Sequence, residues 1–369
     1  MWKSLTSRTG LAGLSALMLL GSLVVPTRSH ASCGAVTCFV VIGSQQQVSQ
    51  KGVLTINGFY NNTPLRLIGG STGIIAAADQ ARERLILDHH KETRTITQTY
   101  TMDLNYGVTD RFGVQITVPY LLRTHHHIDE IGESTTEFGE NSVFSDRGFG
   151  DIRITGKYNV LPTLRSLLVV GFGIDVPTGD TDERDSLGTV LESPGQLGRG
   201  QVGLIGSIYQ AYEVIPHRLN QFSFWSYRHT FRNNDGYRFG DEFLFNFGAN
   251  LVTAPWLIVT NQFNFRYLMQ DNLRANLERS AAPFAGEEPV VIDPRVLDRD
   301  VPNTGSTYFA YTPGVQVNLG DLVKSPWAEA TSAYFFAQIP IARDFNNNLA
   351  QGISFIGGFT RSFQLINPS

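Results

Sequence analysis

Residues 92–127, ETRTITQTYTMDLNYGVTDRFGVQITVPYLLRTHHH, alternate in polarity with a period of two. Ile96, Tyr100, Met102, Leu104, Tyr106 and Val108 share one parity. Thr95, Thr97, Thr99, Thr101, Asp103 and Asn105 share the other. After a tight Thr109-Asp110-Arg111 turn the pattern resumes, with Val114, Ile116, Val118, Tyr120 and Leu122 set against Gln115, Thr117 and Arg123. A period of two marks a strand with one apolar and one polar face. One such hairpin would suit a soluble sandwich. The constraint lies in its repetition.

Twelve segments carry strand character: 52–61, 92–108, 112–124, 149–160, 166–177, 201–213, 219–231, 239–252, 256–269, 305–319, 327–341 and 351–363. An even number is what a closed single-chain barrel needs. The connections alternate between short (109–111, 161–165, 214–218, 254–255, 320–326) and longer (62–91, 125–148, 178–200, 232–238, 270–304, 342–350). Short periplasmic turns opposite long extracellular loops are the mark of an outer-membrane barrel, whereas a sandwich has no reason to alternate loop length. The expected fold is therefore all-β: an antiparallel up-and-down transmembrane β-barrel of about 12 strands. Hydrophobic residues make up 42% of the chain. That modest share fits a barrel, whose strands are polar at every second position.

Residues 1–31 read as a cleaved signal peptide, with Lys3 and Arg8 before an apolar run from Leu11 to Val25 and a Ser29-His30-Ala31 cleavage site. The apolar run is short for a spanning helix, and no later one is longer. Residues 32–50 read as a periplasmic N-terminal segment and 51–369 as the barrel. Cys33 and Cys38 suit a small disulfide loop in an oxidising compartment, with a two-cysteine metal site as the alternative.

Parity assigns faces. Ile152, Ile154 and Tyr158 point to lipid, as do Phe243, Phe245, Phe247 and Leu251, and Leu257, Val259, Phe263, Phe265 and Tyr267. Segments 219–231 and 327–341 are aromatic on both parities and stay ambiguous. Tyr106, Phe112, Tyr120, Trp256, Trp327 and Phe363 suit interfacial girdles. The final segment ends on Phe363, the kind of terminal aromatic that the outer-membrane insertion machinery reads, although six residues follow it.

The lumen-facing charges, candidates for selectivity, are Asp103, Arg123, Asp151, Arg153, Lys157, Asp175, Glu242 and Arg266. They could set a transverse field across a pore or form an ion-pair network that fills it. Histidines form a second set. Asp88-His89-His90-Lys91-Glu92 precedes one strand of the first hairpin, and His125-His126-His127 ends the other. Antiparallel pairing brings both clusters to the long-loop end. Parity turns His125 and His127 to the lumen with His89 beside them. The readings are a solvated rim, a divalent transition-metal site built from His89, His90, His125 and His127, or a gate titrating at about pH 6–6.5. Loops 178–200 and 270–304, acidic and Gly/Pro-bearing, read as solvated.

No nucleophile, base and acid fall in a recognisable context, so an enzyme is not expected. The net charge of -4 leaves no nucleic-acid footprint. The expected partners are the lipid bilayer, the insertion machinery and a small-molecule cargo.

The chain resembles the family labelled MetA-pathway of phenol degradation, a group of transporter-like outer-membrane barrels. The resemblance rests on Tyr106–Val114 (YGVTDRFGV) with Val118-Pro119-Tyr120, on Gly148-Phe149-Gly150-Asp151, on Gly171–Asp180 (GFGIDVPTGD) and on Asn303-Thr304-Gly305. It implies an integral outer-membrane barrel passing small, aromatic molecules. The expected function is a channel or transporter for small molecules; the alternative is a closed structural or metal-binding barrel with a histidine-rich rim.

Overall fold

A computed structural model of the chain describes residues 46–128, 141–163, 165–184, 190–281, 288–325 and 328–366. The expected signal peptide and the Cys33–Cys38 loop lie outside the described residues. The strands are β1 (Val53–Arg66), β2 (Ile74–Asp79), β3 (Arg84–Gly107), β4 (Phe112–Ile128), β5 (Asn141–Phe149), β6 (Ile152–Asn159), β7 (Ser166–Val176), β8 (Gly203–Ile215), β9 (Leu219–Thr230), β10 (Tyr237–Arg238), β11 (Glu242–Ala254), β12 (Leu257–Leu268), β13 (Asn272–Arg279), β14 (Val290–Asp300), β15 (Ser306–Asn318), β16 (Thr331–Asp344), β17 (Ala350–Gln351) and β18 (Ser354–Gln364).

The wall runs β1, β3, β4, β5 with β6, β7, β8, β9, β11, β12, β15, β16 and β18, every pair antiparallel. β5 and β6 are two halves of one wall strand, both paired to β4. β18 pairs back on β1 from Val53↔Gln364 to Asn62↔Phe355, closing a ring of twelve. All twelve expected strands form. Closure follows from solvent: an open edge in hydrocarbon would leave backbone N–H and C=O groups unbonded, at several kcal/mol each.

The faces are as parity assigns them. Phe243 and Phe247 are 38% and 41% exposed, while Asn246 between them is 1% exposed. The two ambiguous strands split their aromatics. Phe222 and Phe224 point inward from β9 while Trp225 and Tyr227 point out; Tyr334 and Phe336 point inward from β16 while Phe335 points out. Periodicity alone could not settle these strands, because the lumen as well as the lipid takes rings there.

An outer aromatic row runs across paired positions Tyr60, Tyr100, Tyr120 and Phe149, and again across Tyr227, Phe243 and Tyr267. The 12 residues of β12, tilted by about 40°, rise roughly 30 Å, enough to cross the apolar layer.

The long-loop end differs from expectation. Segments read as loops continue as sheet: β2, the first residues of β3, the end of β4, β5, β10, β13, β14 and β17. β13 pairs with β3 in parallel at Asn276↔Arg84. Ala76, Ala78, Leu85, Tyr237, Phe239, Leu273, Ala275 and Val301 pack into an apolar cluster there. The wall thus projects beyond the bilayer and encloses the upper lumen. These apolar residues come singly or in short runs, far apart in sequence, so no local period announces them.

Phe247→Arg places a charge on the lipid face. Urea titration of the protein refolded into phosphatidylcholine vesicles should show a loss of about 2–4 kcal/mol of folding stability.

Candidate functional site

The lumen is occupied from both ends. At the short-turn end, residues 46–50 run into the barrel. Val48 packs against the inward cluster of Val169, Tyr209, Ala211, Phe222 and Phe224. Asn105 Nδ2 donates to Gln47 O at 3.1 Å, and Gly52 N donates to Gly107 O at 2.8 Å. A methyl group at position 107 would fall on the carbonyls of Ser49 and Gln50. Gly107 is therefore the seat for this arm, a physical role for the first glycine of the YGVTDRFGV motif.

At the other end, the connection between β7 and β8, expected to be solvated, folds inward. Leu191 and Ser193–Gly198 are buried inside the ring. Side chains of the wall hold it. Arg123 donates from Nη1 to Pro194 O and from Nη2 to Gln196 O, both at 3.1 Å, while its guanidinium pairs with Asp146 at 3.2 Å. Asp151 accepts from Gly179 N at 3.0 Å and Arg199 N at 2.9 Å, gripping both arms of the loop. Gln196 stitches the loop to itself, accepting from Glu183 N at 2.9 Å and donating to Leu191 O at 2.7 Å. The arms cross where Gly179 meets Gly198; a methyl on Gly179 would lie 2.6 Å from Gly198 Cα. Two motifs of the sequence, GFGD and PTGD, thus supply the bolt and one half of the crossing.

The charges gather between these two insertions, around a cavity of about 220 Å³. Of the eight expected residues, Asp103, Arg123, Asp151, Arg153, Lys157 and Asp175 line it. Opposite charges are paired on neighbouring or next-but-one strands rather than segregated on facing walls. Arg153 meets Asp175 at 2.7 Å, Arg228 meets Asp175 at 3.6 Å, and Arg228 meets Glu242 at 3.1 Å. Asp103 accepts from Asn57 at 3.2 Å and Thr117 at 2.5 Å. Arg266 lies above, donating to Ser306 Oγ at 3.1 Å in a smaller outer cavity of about 50 Å³. Parity cannot supply Arg228, because β9 carries aromatic residues on both parities. Arg199 comes from the loop and no period could flag it. Phe59, Phe224 and Phe239 also line the inner cavity.

The histidines meet as pairing predicts, but they are not a solvated rim. His125, His127 and His90 are 0%, 2% and 5% exposed, around Glu92 at 1%. Glu92 holds His125 Nε2 at 3.0 Å through one oxygen and His90 Nε2 at 3.2 Å through the other; Thr95 Oγ1 bonds His125 Nδ1 at 2.7 Å. The inward partner is His90 rather than His89, which lies half-buried beside it. The cause is a β-bulge between Glu92 and Arg94. One extra residue flips every side chain beyond it to the other face. The cluster lies beyond the Tyr100–Tyr120 row, outside the bilayer. Burial there holds the His90 imidazolium below its ordinary range, against the opposing pull of Glu92. Among the described residues, no three His, Cys, Asp or Glu side chains are arranged to hold a metal ion.

The third motif, Asn303-Thr304-Gly305, ties the outer end together. Asn303 accepts from Ala76 N at 3.1 Å and donates to Asn346 O at 2.9 Å, while Thr304 Oγ1 accepts from Asp271 N at 2.9 Å.

No protein-family model matches the sequence, and no curated protein matches it. Among solved structures, an outer membrane channel from Pseudomonas putida F1 aligns with a TM-score of 0.53 over 88% of this chain and 100% of that one, at 11% identity. The transport unit of the autotransporter AIDA-I from Escherichia coli gives 0.44 over 88% and 93%, at 9% identity. The toluene transporter TbuX from Ralstonia pickettii gives 0.39 over 85% and 90%, also at 9%. The first likeness is one of fold, and with the closed ring it places this chain in the outer membrane as an integral β-barrel.

Glu192 offers a pH test of the loop. It accepts from Ala78 N at 3.0 Å, and burial beside Glu92 and Asp79 pushes its carboxyl up to about 8. A carboxyl raised in the docked state favours docking most below about pH 4.5, its unperturbed range, and loses that contribution as pH rises through about 8. A nitroxide at Asp182, with Cys33 and Cys38 replaced by serine, should grow more mobile between pH 5 and pH 9. Glu192→Gln should flatten that dependence.

Proposed function

We propose that this barrel is an outer-membrane channel for small molecules, with its inward loop as the outer constriction. The observation that carries the reading is the cavity of about 220 Å³ enclosed between the N-terminal arm and the loop. A barrel serving only as a scaffold has no reason to keep such a space lined by threonines, serines and charges with rings among them. The loop hangs on hydrogen bonds from Arg123 and Asp151 rather than on a packed core. Each such bond is worth about 1.5–3 kcal/mol, a range in which a docked and an undocked state can exchange.

The cargo class follows from the lining. Phe59, Leu121, Ile205, Phe224 and Phe239 offer apolar surface, and polar groups lie between them. A small molecule with an apolar or aromatic body fits this mixture better than a sugar. A closed structural barrel is the second reading, favoured by the occupancy of the lumen from both ends.

Planar-bilayer recording separates the two. The wild type should pass a small, fluctuating current. Asp151→Ala, which removes the acceptor for Gly179 N and Arg199 N, should raise the time-averaged conductance about tenfold or more. Silence from both proteins would favour the closed barrel.

A further inference from the structure

Arg199 has an unusual place. It lines the inner cavity and the outer cavity alike, and so does Phe239. The two residues are therefore the partition between the spaces. The guanidinium lies over the Phe239 ring, 4.7 Å from its centroid, and Nη1 donates to Thr230 Oγ1 at 2.8 Å. Arg123, Arg153 and Arg228 each have a carboxylate within 3.2 Å. Among the described residues, none lies within ion-pair distance of Arg199.

The carboxylates whose charge acts on it, Glu242, Asp175 and Asp271, are committed elsewhere: Glu242 pairs with Arg228 and Asp175 with Arg153. Asp151 is held by the backbone N–H groups of Gly179 and Arg199 itself. Asp271, in the outer cavity, accepts from Tyr237 OH at 2.6 Å and Gly240 N at 2.7 Å. Glu92 is held by His90 and His125. Burial and neighbouring Arg228 lower the Arg199 guanidinium to about 10, so it stays charged at neutral pH. A second cation stands above it, where Arg266 lies 6.0 Å from the Phe345 ring in the same outer cavity.

We propose that Arg199, braced on Phe239, is the selectivity point of the lumen and recognises a small organic carboxylate carrying an apolar or aromatic body. The inference rests on the channel reading and narrows it from small molecules to small amphipathic anions. A guanidinium stacked on a ring holds its edge donors in a fixed plane, where those beyond the Nη1 bond to Thr230 can meet a carboxylate. Phe59, Leu121, Ile205 and Phe224, just below, take the apolar body. The volume sets the size: about 220 Å³ falls below the roughly 300–1,000 Å³ of drug-sized sites, so one single-ring molecule fits at a time. The brace matters because a rigid cation binds without first losing rotamer freedom.

Equilibrium dialysis of the refolded full-length protein with benzoate, benzyl alcohol and benzylamine tests this without requiring transport. Benzoate should bind at least tenfold more tightly than either of the others. Arg199→Gln should abolish that preference, Arg199→Lys should restore part of it, and Arg295→Gln, far out on β14, should leave it intact. Equal binding of benzoate and benzyl alcohol by the wild type would overturn the proposal whether or not the Arg199 variants fold. So would an undiminished preference in a folded Arg199→Gln protein. Bilayer recording alongside keeps the two ideas apart: benzoate binding without any ion current would end the channel reading and leave Arg199 as a ligand site.

Discussion

The whole molecule depends on satisfying backbone hydrogen bonds where no water is present. In hydrocarbon each unbonded amide costs several kcal/mol, so the first strand must find the last. Here β18 pairs with β1 over a long antiparallel run. That pairing fixes a ring of twelve, and the ring fixes a lumen. Every inward side chain is then confined to a narrow tube with the others. By strand number the tube is intermediate between small barrels filled by their side chains and open porins.

The filling is what gives the barrel its chemistry. Two backbone segments enter it, one from each end, and the wall carries the fittings that receive them. Gly107 leaves room for residues 46–50. Asp151, Arg123 and the Gly179–Gly198 crossing hold the loop ahead of β8. Asn303 and Thr304 knot the outer rim. The sequence motifs that first marked this chain are thus docking points for inserted backbone more than features of the strands themselves. Glycine recurs in them because backbone meets backbone there and a Cβ would not fit.

Ionic groups inside such a tube are costly to bury alone. The wall answers by pairing charges across adjacent strands, as in Arg153–Asp175 and Arg228–Glu242. The histidine cluster follows the same rule, with Glu92 compensating two imidazoles in a site nearly without solvent. Arg199 departs from it, having an aromatic face and a hydroxyl in place of a carboxylate, and that departure is why the partition between the two cavities reads as a place for a passing anion.

The alternation from Thr95 to Arg123 was enough, repeated along the chain, to give the barrel, its strand count and the face of nearly every wall residue. This is because lipid and lumen impose opposite demands on successive positions of an extended chain. The meeting of the two histidine groups was legible for the same reason, since a hairpin turn fixes register. Which histidine points inward was not: a single bulged residue near Glu92 reverses parity and leaves no mark in composition. Nor could the inward fold of residues 191–199 be read, because a loop has no period and its polar residues look alike in solvent and against a wall. Local repetition determined the container. Only tertiary structure decided what enters it, because those contacts join segments far apart in the chain through single hydrogen bonds and close backbone approaches.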